Sequence, residues 1–558
     1  MKQIIFSTLF LWCQSLLSVN LGDSSIWSHI KLNGSISVGY WMNIQQSTDA
    51  NGIKTQTAIP NWYIQGQPTI SVYNMQFPFS ANYSNQQLSY TQPFNQYGIS
   101  PTYKSLTMHL GYRNMTFSKY SMSGVTFLGA GIELNPGKWR LAGFYGRFAR
   151  AIGEDSSLIQ QNIVVIPAYE RWGYGFKIGY GSSQRHLDLC VTKIFDDSNS
   201  IKRPSSTVIR PGDNLTIAIA GKFQLFKKLS GEFETALSTV TNDVQATGEF
   251  QELEFLKPFI NVNYSSSINP AAFASLNYRH KYFGIGAKTE FIGPTFRTFG
   301  MYYIQNDLLR TTIKPSLRLF KRRLNINASV GYQTDNVINH KNVTTTRLVS
   351  SGSANLRLGK ALIIQGNFSN FGTEQGSGLI QLNDSIRVSQ INQTYGGAII
   401  YSLPGKTFFS NIMANYMNQS LDDLNAVTEK FSESQIQAIS FNYNISHRPS
   451  NLQLGIGISV SDIKNAQGAI LSIGPLARLS WSVPKLKLMI NTSANYQDRR
   501  VNQVSDGNIT TLNNDINWSG FKKHRFGIRH QQVINKSSVS SFLTNNQNRI
   551  GITYGYAF

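Results

Sequence analysis

The chain has 558 residues, with 51 Lys and Arg against 29 Asp and Glu and a formal charge of +22. Only 14% of its residues are charged, well below the roughly 25% of ordinary soluble domains, while 12% are aromatic and 45 residues are Gly. Two cysteines exclude a disulfide scaffold, and positive charge without a compact basic segment interleaved with aromatics excludes nucleic acid as the expected partner.

At the N-terminus, Met1 and Lys2 precede an apolar run over 4–17 and then small residues. This is the pattern of a secretory signal peptide, assigned to 1–20, and it is shorter than the roughly 20 apolar residues of a spanning helix. Residues 21–558 read as one domain whose single cysteine is Cys190. Strand-like alternation begins near Ile30, which leaves no room for a folded plug domain, and 29–73 supplies at least one hairpin. Residues 84–105 lack clean alternation and contain Pro93 and Pro101, so they, together with the long loops, are expected to fill part of a lumen.

From there a two-residue period recurs over segments of about ten residues, enough to cross a bilayer when tilted. "LTMHLGYR" opposes Leu106, Met108, Leu110 and Tyr112 to Thr107, His109, Gly111 and Arg113. "LNINASVGYQ" and "LQLGIGISVS" repeat the pattern, with Gly, Ser and Asn where a soluble sheet would carry Lys and Glu. Short, often basic turns such as "NPGKW", "FKKLS", "FKRRL", "LPGKT" and "FKKHR" alternate with long polar loops such as "NQSLDDLNAVTEKFSES". Short turns at one rim and long loops at the other predict an all-β fold, a single antiparallel transmembrane β-barrel with periplasmic turns and extracellular loops. The spacing predicts about 24 strands, within a range of roughly 22 to 26. A β-propeller would need four short strands in each interval where two long alternations stand.

The last residues, "RIGITYGYAF", put Ile550, Ile552, Tyr554, Tyr556 and Phe558 on one face. This is the expected closing strand. Its final "GITYGYAF" resembles the C-terminal signal that outer-membrane barrels present to the barrel assembly machinery, which implies that role for Tyr554, Tyr556 and Phe558. Two stretches, "QPFNQYGISPTYKSLTMHLGYRNMTFSKYSMSGVTFLGAGIELNPGKWRLAGFYGRF" and "FIGPTFRTFGMYYIQND", resemble uncharacterised outer-membrane proteins of the Bacteroidota. The resemblance implies location and fold, not an activity.

Candidate functional residues follow from the expected faces. Arg113, Lys177, Lys222, Lys288, Arg318 and Arg357 fall on lumen positions, with Glu290 as the one acid among them, which predicts anion preference. Lys227, Lys228, Lys321, Arg322, Arg323, Lys522, Lys523 and Arg525 sit in or beside periplasmic turns, facing lipid head groups or a partner protein. Trp139, Trp481 and Trp518 lie near those turns, as an interface girdle would. "HLDLC" puts His186, Asp188 and Cys190 on one strand face, but no second His/Cys cluster accompanies it and no metal is assigned. No catalytic or phosphate-binding motif is present, so neither an enzyme nor a cofactor is expected.

The resulting expectation is an outer-membrane transport or secretion-associated channel with a basic lumen. The alternative is a non-conducting scaffold or surface-display subunit. Expected partners are outer-membrane lipid and lipopolysaccharide, the assembly machinery, and periplasmic or outer-membrane proteins. "NDSI" at 383–386 also resembles an O-glycosylation site of the Bacteroidota.

Overall fold

A computed structural model describes residues 29–85, 91–154, 166–204, 209–248, 251–377, 387–538 and 542–558. The expected signal peptide and the 383–386 tripeptide lie outside the described residues.

Alternating segments become strands of 9 residues (Leu106–Asn114) to 16 residues (Val343–Leu358). All belong to one antiparallel sheet, which closes into a barrel of 26 strands. Closure joins Ser35–Asp49 to Phe542–Ala557 through a ladder from Ser35↔Ala557 to Thr48↔Thr544. A single closed sheet excludes the propeller. Three wall strands are interrupted, the first at Gly34 between Ile30–Asn33 and Ser35–Asp49. Gly34 has φ +109°, and a Cβ there would collide with the Gln67 carbonyl, so the position requires glycine.

The strand number, 26, lies at the upper end of the expected range, and the structure corrects the reading of 84–105 as lumen filling. Met75–Ser84 pairs with Lys54–Gly66 on one side and with Gln96–Ile99 and Thr102–Tyr103 on the other. Gln96–Ile99 and Thr102–Tyr103 then pair with Leu106–Asn114. Gln96–Ile99 and Thr102–Tyr103, within 84–105, are therefore wall. Pro78 and Pro101 disguise it, because proline lacks the ladder N–H and is tolerated only at edges, ends or irregularities of strands.

Outward and inward faces separate cleanly. On Glu170–Gly181 the outward residues are Tyr174, Phe176, Ile178 and Tyr180, each about half exposed, while Gly173, Gly175, Lys177 and Gly179 face inward. A continuous apolar belt of this kind, on a sheet without a free edge, is stable in lipid and not in water. The molecule is an integral outer-membrane β-barrel. Trp139, Trp481 and Trp518 point outward beside short turns. Trp139 packs edge-on against Tyr180, and Trp518 donates from Nε1 to the Leu486 carbonyl at 3.0 Å. The turn at 320–323 holds Phe320, Lys321 and Arg322 at positive φ. Lys227, Lys228, Lys321, Arg322, Arg323, Lys522 and Lys523 lie in short turns of the rim where Phe558 stands, and Arg525 lies one residue inside its strand.

Deleting 550–558 removes the part of the ladder that pairs Ser35–Met42 and, on the other side, His524–His530, and so exposes two strand edges. Each unpaired group costs several kcal/mol in hydrocarbon. We expect no heat-modifiable, membrane-inserted truncated protein on gel electrophoresis; wild-type amounts would refute the closure.

Candidate functional site

A barrel of 26 strands, at about 4.8 Å per strand and a tilt of about 40°, is about 50 Å across. Two long loops fold into it, 115–125 and 293–307. Their apolar residues, which read in sequence as scattered loop positions, are among the most deeply buried in the molecule. Tyr120 and Met122 are 0% exposed and Phe296 is 1% exposed. They join Met115, Phe117 and Phe299 in one cluster with the inward wall residues Phe127, Phe144, Phe148, Cys190 and Ile194. All members of this cluster lie between Met115 and Leu308. One part of the lumen is thus packed like a soluble core.

The loops hold each other. Ser123 N donates to the Gly300 carbonyl at 3.0 Å, Thr298 Oγ1 to the Ser121 carbonyl at 3.1 Å, and Tyr120 meets Phe296 edge-on. At Gly300 a Cβ would strike the Ser121 carbonyl, so the two backbones touch there. Asp307 closes the second loop by accepting from the amides of Asn336 and Val337 at 3.0 and 2.9 Å and from Lys341 Nζ at 2.5 Å. Burial alone would raise the Asp307 carboxyl, but Lys341 and the two amides outweigh it and hold the group below its ordinary value.

Two carboxylates, on strands that flank Ser266–Arg279, anchor the first loop to the wall. Glu234, on Leu229–Thr241, accepts from the amides of Lys119 at 2.9 Å and Tyr120 at 2.6 Å. Glu290, on Phe283–Ile292, accepts from the Tyr120 hydroxyl at 2.7 Å, from Arg310 at 2.7 Å and from Lys119 Nζ, with Lys288 3.7 Å away. Burial and Glu290 push the Tyr120 phenol far up, so it remains a donor. Nothing in the sequence pairs Tyr120 with carboxylates 114 and 170 positions away. Only the inward parity of Glu290 was legible.

The six basic residues expected in the lumen all lie on inward strand faces, but not in one place. Arg113 donates to Ser80 Oγ at 2.6 Å, Lys177 to the Thr116 carbonyl at 3.4 Å, and Lys288 faces Glu290. Lys222 stands 3.7 Å from Glu232. Arg318 and Arg357 form no ion pair among the described residues, and they stand on separate strands, Leu308–Leu319 and Val343–Leu358. In "HLDLC", Asp188 receives both ends of Arg140 at 2.9 and 3.0 Å, His186 is 3.8 Å away and Cys190 is buried.

No family model matches the chain, and no curated protein does. Among solved structures the chain is similar to the FrpB iron transporter from Neisseria meningitidis, at 10% identity over 95% of this chain and 83% of that one, with a TM-score of 0.38. It is similar to the translocation pore of the P pilus usher PapC, at 9% identity over 94% and 99%, with a TM-score of 0.39. It is also similar to OpdQ of Pseudomonas aeruginosa, at 9% identity over 94% and 98%, with a TM-score of 0.29. These likenesses are to large barrels and carry no cargo over to this chain.

Glu290→Ala leaves Arg310, Lys119 and the Tyr120 hydroxyl without their shared acceptor. Lys119 and Arg310, left without the carboxylate, are more than a third exposed, so the loss is that of the hydrogen bonds to a charged group, about 1.5–3 kcal/mol. The variant should still insert, but lose its heat-modifiable migration at a temperature several degrees lower; an unchanged transition would show that the anchor contributes little.

The Asp307 clasp gives a sign for acid. Its carboxyl is depressed in the folded state, so its stabilisation is present above about pH 4, the ordinary aspartate range, and is lost as pH falls through the folded value. Proteolysis at 335–342 by an acid-active protease should rise in that window, and Asp307→Asn should already be cleaved at the fast rate at about pH 5, where the wild-type clasp is still intact.

Proposed function

We propose that the protein is a transport channel whose path follows the unfilled part of the lumen, along the inward faces of the strands from Leu324–Thr334 round to Lys54–Gly66. One observation carries this reading: the apolar core stops at Leu308, and amides and hydroxyls predominate on the inward faces beyond it, with arginines and single aromatics such as Phe371 and Phe409 among them. Asn411, Asn444, Gln453, Asn491 and Asn513 line a cavity of about 560 Å³ on that wall. A scaffold has no use for a wetted wall beside a sealed one, whereas a channel needs both to narrow a wide barrel. The resemblance of the two loop-bearing stretches supports a Bacteroidota origin and entry by the secretory route.

The charge reading moves with the path. On the open wall Arg499 is matched by Asp506 and Arg529 by Asp515. Arg347, Arg357, Arg478, Arg525 and Arg549 form no ion pair among the described residues. Their excess sets a weak anion preference, screened over about 8–10 Å at physiological salt.

Planar-bilayer recording tests the path. The wild type should give discrete conductance, and replacing 117–123 with a short Gly-Ser linker should raise it several-fold. A barrel silent in both forms would leave the scaffold standing.

The triple variant Arg357→Gln, Arg478→Gln and Arg549→Gln should move the reversal potential in a salt gradient toward neutrality, most at low ionic strength. Lys177→Gln, in the filled part, should move it much less; the reverse order would place the path on the wrong side.

A further inference from the structure

The open wall carries a second cavity of about 380 Å³, which shares Asp515 with the first. Strand register shows that the two form one band. Ser480 pairs with Asn491, Asn491 with Asp515, Asp515 with Arg529, Arg529 with Gly551, and Gly551 with Trp41. At about 4.8 Å per strand this row runs about 24 Å along the lumen wall.

Its two ends differ in chemistry. At one end Ser480 Oγ donates to Asn491 Oδ1 at 2.7 Å and Asn513 donates to Ser493 Oγ at 3.3 Å. In the middle Arg529 Nε donates to Asp515 at 2.5 Å, so the pair is charged but neutral in sum. At the other end the Trp41 and Tyr63 rings lie 5.3 Å apart at 51°, on inward positions of their strands. Gly551, directly opposite Trp41, presents no side chain to the indole, and the Arg549 guanidinium lies 5.1 Å from the Trp41 ring centroid. The aromatic pair is thus held in place on the lumen wall by a cation beside it.

We propose that this band binds a neutral oligosaccharide. A pyranose ring has an apolar C–H face, which suits the Trp41 and Tyr63 rings, and a rim of hydroxyls that both donate and accept. Amides answer hydroxyls in both senses, and the Asp515–Arg529 pair supplies stronger charge-assisted bonds. Arg478 and Arg549, which line the same two cavities, are further donors to sugar oxygens, so the acidic hexasaccharide is the necessary comparison. The inference deepens the channel reading by naming its cargo class, but binding is measured independently of conduction.

The test is calorimetric titration of the full-length barrel in a sugar-free detergent with maltohexaose, cellohexaose, xylohexaose and mannohexaose, and with hexagalacturonate as the acidic comparison. At least one neutral hexasaccharide should bind saturably. Trp41→Ala should weaken it on the order of tenfold, Trp41→Phe should retain part of the affinity, and Asp515→Asn should weaken it several-fold, with heat-modifiable migration confirming that each variant is folded. No saturable binding by any neutral sugar, binding of hexagalacturonate alone, or unchanged affinity in Trp41→Ala each overturns the proposal. A barrel that conducts but binds no sugar removes this inference and leaves the channel. One that binds sugar but never conducts removes the channel and leaves the site.

Discussion

In hydrocarbon a backbone N–H or C=O without a partner costs several kcal/mol, so a sheet that crosses a membrane must end where it began. Here that requirement is met by Phe542–Ala557, which is hydrogen-bonded to His524–Ser537 on one side and to Ser35–Asp49 on the other. The other properties descend from this ring. It forces every strand to show one face to lipid and one to the interior, which is why apolar residues alternate with Gly, Ser and Asn over hundreds of positions. It also fixes where charge can stand. Cations stand mainly in turns, loops and inward faces, because an outward lysine at mid-membrane would cost about 2–4 kcal/mol. Outward ones such as Lys193 and Arg147 are paired with Asp213 and Glu170.

A ring this wide creates a second problem, an interior too large to seal with wall side chains. The solution combines two chemistries. One part is packed by loops 115–125 and 293–307 into an apolar core. The loops cannot be held by apolar contact alone, since they approach a wall of small and polar residues, and Glu234 and Glu290 serve as anchors. Each buried carboxylate is supplied with several donors, which is what makes an ion tolerable at 4% and 2% exposure. Arg171 shows the same economy, holding Asp196 by two bonds while its guanidinium lies 3.9 Å from the Phe299 ring centroid.

The barrel was legible because its signals are local. Leu452–Asn465 and Phe542–Ala557 read correctly from alternation alone, and the ten basic or glycine-bearing turns mark real connections. Met75–Ser84 and Gln96–Ile99 were obscured because proline interrupts the period that identifies a strand. That long loops would fill part of a wide barrel was legible; which loops do so, and what anchors them, was not. "MTFSKYSMSG" has no periodicity, and its burial depends on partners more than a hundred positions away. The same distance explains why inward parity could be assigned to Lys177 and Lys288 but not their engagement with a loop and an acid. Parity is a property of one strand, whereas filling is a property of the closed ring.

Trp41 and Gly551 face each other across the seam where the first long strand meets the last. Further along the same seam, Asn546 donates to Gln46 across 500 positions of chain at 3.4 Å. Half of any surface at this junction is synthesised first and half last. During biogenesis it does not exist until the ring is sealed, so an unclosed or mis-registered barrel has no such surface to offer. A one-residue slip at the seam would turn Trp41 toward lipid or set it opposite a bulky neighbour. Occupancy of that surface would therefore distinguish correctly zipped molecules from those that are merely inserted.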